Sequence, residues 1–210
     1  MSSAVPDIQN RAARSAQLAL LEGRRSVSFM ELAAPGPDED ELARMLTIAS
    51  RVPDHAALVP WRFIVIGGQN RADAGRHLGA AYRTGNDAME PTRREKFAGI
   101  MERLFLHAPL VVVVVSRPDR STRIPVFEQE LSAGAVCLNL LHAAYALGYA
   151  GNWVTGWAAT HPQARRVIGV EEGEQIAGFV HLGTPQHAVA DRPRPEIGAI
   201  VQAWHAPEAG

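Results

Sequence analysis

Apolar residues recur every three or four positions in the first quarter of the chain, a spacing that predicts two amphipathic helices. The first covers about Asp7 to Glu22 and precedes Gly23, a residue suited to a left-handed C-cap. The second begins near Asp38 and Glu41, which have the spacing of a capping box. We expect each helix to bury one side against the rest of the fold. The apolar side of the second consists of Leu42, Met45, Leu46, Ala49 and Val52.

Shorter apolar stretches, rich in β-branched and aromatic residues, predict the strands. Residues 61–66 and 175–182 are each followed by glycine, as strands that enter turns commonly are. Residues 110–115 form an uninterrupted aliphatic run, which predicts a strand buried on both faces. Residues 152–155 predict the end of one more strand, which enters a turn at Gly156.

Three segments have weaker patterns. Residues 70–95 are rich in Arg, Gly, Asp and Asn, and they predict a short helix followed by a mobile excursion that can act as a lid. The next amphipathic helix runs through about residues 97–108. Thr160 and Gln163 suggest a capping box for a short helix that ends at Gly169.

Residues 128–148 are apolar on nearly all sides, which predicts a central buried helix. An Ala-Gly-Ala triplet at residues 133–135 lets another backbone approach closely, so we expect a partner helix and a homodimer. Residues 186–210 carry several prolines and arginines without periodicity, and predict an extended C-terminal tail that needs a surface to lie on. Within that tail, residues 197–201 suggest a last short strand.

The order of these elements indicates one domain over residues 1–210, because 210 residues fit one generous domain better than two. Helices and strands alternate irregularly, without a regular βα repeat and without an internal repeat. Neither a GxGxxG nor a GxxxxGK phosphate loop is present. The predicted architecture is therefore α+β and not of the Rossmann type.

The composition of the chain mainly excludes classes of partner and of binding site. The formal net charge of −1 gives no general attraction to nucleic acid or to an anionic membrane, so any phosphate recognition has to be local. The single cysteine, Cys137, excludes an intramolecular disulfide, and we expect a cytoplasmic protein. Residues 1–23 lack the apolar stretch of a signal peptide, and residues 136–150 are too short for a membrane span. The histidines lack metal-ligand spacing, and we expect no metal.

The first candidate for chemistry is the segment formed by Arg24, Arg25 and Ser26, directly after the first predicted helix. Paired guanidinium groups make bidentate, charge-assisted contacts with phosphate, and a serine hydroxyl adds a donor. Taken alone, such a triplet more often marks a solvated helix end, where cations are favourable to the helix dipole. The segment therefore indicates a phosphate site only in company with other motifs.

The second candidate is the pair Arg51 and His55, which lies at a junction between a predicted helix and the next strand. Loops at such junctions commonly carry ligand contacts. A surface salt bridge between Arg51 and Asp54 explains the same residues. Trp61 and Phe63 are expected in the core rather than against a ligand.

Three other polar residues have simpler explanations. His142 lies on the apolar helix, where a satisfied core or interface histidine is the most frequent case. Glu128 and Glu130 stand at the start of that helix, where two carboxylates are favourable with the helix dipole. No catalytic role is expected for any of the three.

The two candidates belong to a longer series of motifs. The series starts with Arg-Arg-Ser at residues 24–26 and continues with Pro-Asp-His and Pro-Trp-Arg-Phe within residues 53–63. It resembles the nitroreductase family, in particular its compact branch, over about residues 20 to 186. The later motifs are Glu-Gln-Glu-Leu-Ser-Ala-Gly at 128–134, Gly-Tyr-Ala-Gly-Asn-Trp-Val-Thr-Gly at 148–156 and Gly-Phe-Val-His-Leu-Gly-Thr-Pro at 178–185.

This resemblance implies a nitroreductase-like α+β fold, with a central mixed β-sheet flanked by helices, that forms a homodimer. It also implies FMN as the cofactor, bound in two sites that both subunits build. By this resemblance, the FMN phosphate and ribityl chain would be held by Arg24, Arg25 and Ser26.

The resemblance assigns further cofactor contacts to two other segments. Arg51 and His55 would reach the flavin from the other subunit. Trp153, Val154 and Thr155 would lie beside the flavin, with their backbone groups making the contacts. The implied activity is transfer of a hydride from NAD(P)H through flavin N5 to small organic acceptors such as nitroaromatics or quinones, so no catalytic side chain is required.

This chain departs from the family pattern at several positions. Many members carry Arg where this chain has Ser28, and Asn and Gln where it has Ala57 and Val59. These losses leave open a flavin-binding or storage protein with little turnover, and the predicted lid leaves open a flavin-modifying or dehalogenating relative. Arg192 and Arg194 in the tail can substitute at the phosphate, although a solvated arm is the more frequent role of such a segment.

Overall fold

The computed structural model describes residues 11–206, which form helices around one β-sheet. Its main helices are α1 (Arg11–Gly23), α2 (Glu39–Ala49), α3 (Asn70–Gly85), α4 (Pro91–Arg103) and α5 (Val126–Ala146). Shorter helices are α6 (Trp157–Thr160), α7 (Pro162–Ile168) and α8 (Ile197–Ile200). The strands are β1 (Leu32–Ala33), β2 (Trp61–Gly67), β3 (Leu110–Ser116), β4 (Ala150–Val154) and β5 (Gln175–Pro185).

Strand β5 organises the sheet, because it pairs with three other strands. One edge of β5 pairs with β3, which in turn pairs with β2. The opposite edge pairs first with β4 and then, near its end, with β1. All four ladders are antiparallel, and the parallel contact among residues 11–206 is an isolated bridge between Ser26 and Gly151. The predicted α+β architecture is confirmed, but the strands of the sheet pair only antiparallel, so the sheet is not mixed as expected.

The predicted doubly buried strand is β3, whose seven residues are all buried. Successive side chains of a strand point to opposite faces, so β3 contributes to two core layers. Val112 and Val114 pack under α2 and α5, whereas Val111 and Val113 pack on the opposite face of the sheet. The second layer also contains Leu78, Phe105, Ile168 and Phe179.

Helix α5 is apolar on nearly all sides, as predicted, but one chain covers only part of it. Its inner side packs in the core through residues such as Val136 and Leu140, which are fully buried. Another side exposes large apolar residues to solvent. No helix among residues 11–206, α5 included, is long and apolar enough to cross a membrane. The exposed residues of α5 are Phe127, Leu131, Leu138 and Tyr145, which are 67%, 57%, 43% and 38% accessible.

Local signals at helix starts were right once and wrong once. Asp38 caps α2 in a capping box: the amide of Glu41 donates to Asp38 Oδ1 at 2.8 Å, and the amide of Asp38 donates to Glu41 Oε2 at 3.1 Å. The box predicted from Thr160 and Gln163 is wrong, because α7 starts at Pro162, and the Thr160 hydroxyl donates to the carbonyl of Gly156, the residue before α6.

The remaining predictions concern the two ends of the chain. The first four residues of the helix predicted from Asp7 lie outside the described residues, as do residues 207–210 of the tail. The strand predicted at 197–201 is wrong: residues Ile197–Ile200 form one helical turn. Among residues 11–206, no strand pairs with this exposed segment.

Residues 70–95 form α3 and the start of α4, where we predicted a short helix and an excursion. The two helices pack closely because Gly75 carries no side chain: a Cβ there would lie 2.1 Å from the backbone oxygen of Glu102. Arg83 of α3 then joins Glu95 and Glu102 of α4. Contacts of this kind leave no apolar periodicity in the sequence. A lid function of this segment stays a prediction.

Candidate functional site

The Arg-Arg-Ser segment lies against the edge of the sheet. It leaves α1 and forms the isolated bridge between Ser26 and Gly151 of β4. The amide of Val27 donates to the Gly151 carbonyl at 3.2 Å, and Asn152 Nδ2 donates to the Val27 carbonyl at 2.8 Å. These bonds hold the two family-like segments, 24–28 and 150–154, side by side.

The tail brings two more arginines to the same place. A cavity of about 150 Å³ lies between the Arg-Arg-Ser segment and the tail. Four guanidinium groups meet there, although the two pairs are separated by more than 160 positions in the sequence. Arg192 and Arg194 are exposed, as in a solvated arm, and both also line this cavity, so their substitution at the phosphate stays a prediction. The cavity is lined by Arg24, Arg25, Ser26, Val189, Ala190, Arg192 and Arg194.

The charges in this cavity, hereafter the arginine pocket, are not balanced. Arg24 Nη1 is buried and has no hydrogen-bond partner among residues 11–206. Burial lowers the pKa of Arg24, and repulsion from Arg194, Arg192 and Arg25 lowers it further. Within the described part of the chain, the one carboxylate in contact is that of Asp191, which lies 2.6 Å from Arg25 Nε and 3.3 Å from Arg194 Nη2. Four cations facing one carboxylate form a site for an additional anion, and a phosphate supplies both the charge and the acceptor oxygens.

Trp153, Val154 and Thr155 lie at the end of β4, on the same edge of the sheet. The Trp153 indole rests on β5: its Nε1 donates to the Ala177 carbonyl at 3.0 Å, and a Cβ at Gly178 would lie 2.0 Å from that nitrogen. Thr155, which follows β4, is exposed. The structure thus brings the first and third predicted groups together.

Arg51 and His55 are on a loop, hereafter the 51–59 loop, that follows α2. The predicted salt bridge between Arg51 and Asp54 does not form. Instead, the Asp54 carboxylate accepts hydrogen bonds from the amides of Leu58 at 3.2 Å and Val59 at 2.8 Å. These bonds hold a backbone in which three non-glycine residues have positive φ, a conformation that is costly and concentrates at functional sites. The residues are Ala56, Ala57 and Val59, with φ of 58°, 53° and 50°.

Both predicted side chains of this loop face solvent. Arg51 forms no side-chain hydrogen bond or ion pair with residues 11–206, and His55 bonds only to Glu128. Within one chain, no such contact joins either residue to the arginine pocket or to the end of β4. One chain therefore assembles two of the three predicted groups, and the third is left directed outward.

Sequence reasoning missed or undervalued several residues. Glu128 was expected only to favour the helix dipole, yet its carboxylate lies 2.8 Å from His55 Nδ1. His142 lies near the arginine pocket, where burial, followed by the charge of Arg24, lowers its pKa. Trp61 is buried in the core, as expected. The His55 contact spans 73 positions, and the one signal for it was that both residues belong to the series of family-like motifs.

The model of the Nitroreductase family matches residues 21–184 of the chain. The chain belongs to the nitroreductase family. Within this family it is 36% identical over 172 residues to "Putative NAD(P)H nitroreductase YdjA" of Escherichia coli (strain K12), a match that covers 80% of this chain and 88% of that protein. A Haemophilus influenzae nitroreductase relative is 32% identical over 168 residues, which covers 80% of this chain and 87% of that protein.

Solved structures of nitroreductase-like proteins share the fold. A nitroreductase-like family protein of Bacillus cereus superposes with a TM-score of 0.75 at 23% identity and covers 90% of this chain and 96% of its own. A nitroreductase of Bacteroides fragilis, solved with bound FMN, has a TM-score of 0.66 at 19% identity and covers 89% and 97%. The predicted nitroreductase-like fold is therefore confirmed. Arg192 and Arg194 lie beyond residue 184, where the match to the family model ends.

Proposed function

We propose that this protein is an FMN-dependent oxidoreductase that uses NAD(P)H to reduce small organic acceptors such as nitroaromatics or quinones. The observation that carries the proposal is the arginine pocket beside the start of β4, in which Arg24 Nη1 is buried and has no hydrogen-bond partner among residues 11–206. An anion with several acceptor oxygens satisfies that nitrogen and the charge around it. Family membership supports the flavin, as do a fold neighbour with bound FMN and another described as FMN- and NADPH-dependent.

Two groups of residues bind FMN in this proposal, one at its phosphate end and one at its flavin ring. Arg24, Arg25 and Ser26 hold the phosphate, together with Arg192 and Arg194 of the tail. The tail arginines belong to an exposed segment, which places them on the solvent side of the phosphate.

The other end of the cofactor lies along β4. Trp153 stiffens the strand end through its bond to the Ala177 carbonyl, and Val154 and Thr155 offer backbone groups to the flavin edge. When bound, FMN supplies the redox chemistry by accepting a hydride at N5 and passing reducing equivalents to the acceptor. The protein then has to bind, orient and shield, and needs no nucleophilic side chain.

A second copy of the chain completes each site in this proposal. The apolar side of α5 is exposed in one chain, and burial of Phe127 and Leu131 against a partner removes a large apolar area from water. Arg51 and His55, which face solvent in one chain, then reach the flavin of the partner. Analytical ultracentrifugation should give a dimer, and a monomer that retains FMN would contradict the shared site.

The decisive experiment is an absorbance spectrum of the purified protein in the flavin bands, repeated anaerobically after NADH or NADPH is added. We expect flavin bands that bleach with one or both nicotinamides. Bands that persist would favour a flavin-storage protein. Ala57 and Val59 favour that alternative, since many relatives have amide side chains at these positions. Absence of bands after FMN is added would contradict the cofactor. Cytoplasmic location stays a prediction.

A further inference from the structure

Three polar side chains form a row along one side of α5. Glu128, Ser132 and Asn139 are separated by four and seven positions, which places them on one face of a helix. All three bond to the segment that runs from the end of α2 to His55. This polar row interrupts a helix that is otherwise almost entirely apolar, so each of its members requires an explanation.

Two members of the row fix the backbone before His55. The Ser132 hydroxyl donates to the Pro53 carbonyl at 2.6 Å, and Ser132 is itself buried. Asn139 Nδ2 donates to the carbonyls of Ile48 at 2.5 Å and Arg51 at 3.3 Å. The Ile48 carbonyl also accepts from the Arg51 amide, at 3.0 Å, so Asn139 reinforces the backbone bond that ends α2, while Ser132 fixes the backbone at Pro53. Together the two side chains determine where the 51–59 loop starts.

Glu128, the third member, acts on the histidine ring itself. Its Oε2 lies 2.8 Å from His55 Nδ1, while His55 Nε2 has no hydrogen-bond partner among residues 11–206. A carboxylate accepts, so Nδ1 carries the proton and donates. The proton on one ring nitrogen is determined by the bond that nitrogen makes, and the second nitrogen then points away from the acceptor.

The location of the pair argues against stability as its main effect. The side chains of His55 and Glu128 are 62% and 45% accessible, and exposed ion pairs contribute little to the free energy of unfolding. The rest of the loop is held without it, by Ser132 and Asn139 on one side of His55 and by Asp54 on the other. What the pair adds is the orientation of one ring.

We propose that Glu128 is a positioning residue that holds the imidazole of His55 with Nε2 directed outward, toward the flavin in the site of a partner subunit. This inference rests on the proposed function, because the ligand of Nε2 is the FMN of that site. A ring that is already oriented loses less freedom when the ligand binds, which is the advantage of preorganisation.

The first test uses the protein without FMN. Nitrogen NMR of 15N-histidine-labelled protein at about pH 8.5, above the pKa of a free imidazole, reports which ring nitrogen carries the proton. We expect an Nδ1–H signal for His55, assigned by its loss in His55→Ala. Glu128→Ala should move it toward the Nε2–H form that an unrestrained imidazole prefers, and Glu128→Gln, which retains an acceptor oxygen, should restore it.

Glu130→Ala is the matched control, because Glu130 lies in the same first turns of α5 and its removal changes the helix dipole interaction similarly. Its carboxylate has only a 3.4 Å contact from Gln175. We expect it to leave the His55 signal unchanged. An unchanged signal in Glu128→Ala, or an equal change in Glu130→Ala, would overturn the proposal.

The second test measures the dissociation constant of FMN in a double-mutant cycle. Glu128→Ala and His55→Ala should each weaken binding by about fivefold, the size of one hydrogen bond. The double variant should bind as His55→Ala does, because Glu128 acts only through that ring. Effects that multiply to about 25-fold would overturn the proposal. Wild-type protein that fails to bind FMN would overturn the proposed function instead, and the NMR result would then judge the ring orientation separately.

Discussion

Two groups of arginines in this chain look alike in sequence and differ in their surroundings. Arg83 bonds to Glu95 and Glu102 at 2.5 and 2.8 Å, and these hydrogen bonds raise its pKa. Arg62 forms two bonds to Glu174, at 2.6 and 2.7 Å, which raise its pKa as well. Arg24 is the opposite case: burial and three neighbouring cations lower its pKa.

This difference in pKa and in charged partners distinguishes arginines that stabilise the fold from arginines suited to bind a ligand. A guanidinium that pairs with a carboxylate of another element holds the two elements together, as Arg83 does between α3 and α4. A guanidinium that is partly buried among like charges costs stability in the free protein. That cost is offset only when an anion binds, so the arginine pocket and the paired arginines should respond differently to every perturbation.

The largest expected effect comes from removing the two arginines after α1. The double variant Arg24→Ala, Arg25→Ala should weaken FMN binding about a hundredfold or more, because each charge-assisted bond to a phosphate is worth roughly 1.5–3 kcal/mol. Titration of flavin fluorescence measures it. The control is Arg83→Ala, which should lower the unfolding midpoint and leave the affinity for FMN unchanged. Equal loss of affinity in both variants would remove the distinction between the two groups.

A buried histidine sharpens the comparison, because a histidine can give up the charge that an arginine retains. His181 is fully buried, and neither ring nitrogen has a hydrogen-bond partner in the described range 11–206. Burial, with a smaller effect of His107, lowers its pKa to about 4. The unfolded imidazole takes up a proton below about pH 6.5, whereas the folded one does so only near pH 4. Stability conferred by the neutral ring is therefore complete above pH 6.5 and is lost as pH falls toward 4.

The shift corresponds to a loss of roughly 3 kcal/mol across that window, as an order of magnitude. The variant His181→Phe, which keeps an aromatic ring beside Phe29 and Phe105, should lack this loss. Urea unfolding of both proteins at several pH values checks it. Parallel pH profiles for the two proteins would contradict the prediction.

Removal of the carboxylate that pairs with Arg62 should leave the charge of this structural arginine without a partner. Glu174→Ala should lower the free energy of unfolding by about 2 kcal/mol, less than the 3–5 kcal/mol of a fully buried pair because Arg62 is partly exposed. The variant also removes the acceptor for the Glu171 amide. Affinity for FMN should not change. A fall in affinity larger than the fall in stability would mean that Arg62 belongs to the site.

The smallest effect is expected at Asp191, the one carboxylate of the arginine pocket. Asp191→Asn should raise FMN affinity by about two- to fivefold, because an exposed ion pair contributes little and the phosphate no longer competes for Arg25. The same titration measures it, with Asp73→Asn on α3 as a control that also removes an exposed carboxylate from an arginine. Weaker FMN binding in Asp191→Asn would show that Asp191 orients the pocket rather than competing in it.

Some features of this protein were determined by the sequence alone, because they depend on neighbours within a few positions. The aliphatic run of β3, the capping box of α2 and the Arg-Arg-Ser segment after α1 are of this kind. The order of the family-like motifs also sufficed to identify the family, since spacing along the chain is itself sequence information.

Tertiary structure decided which charges meet. Arg192 and Arg194 join Arg24 and Arg25 only because the tail returns to the edge of the sheet, and Glu128 meets His55 across 73 positions. The packing of α3 on α4 likewise depends on glycines and on Arg83, which leave no periodic signal. Electrostatic interactions act through space, and the same residue type is structural or ligand-binding according to which charges the fold brings to it.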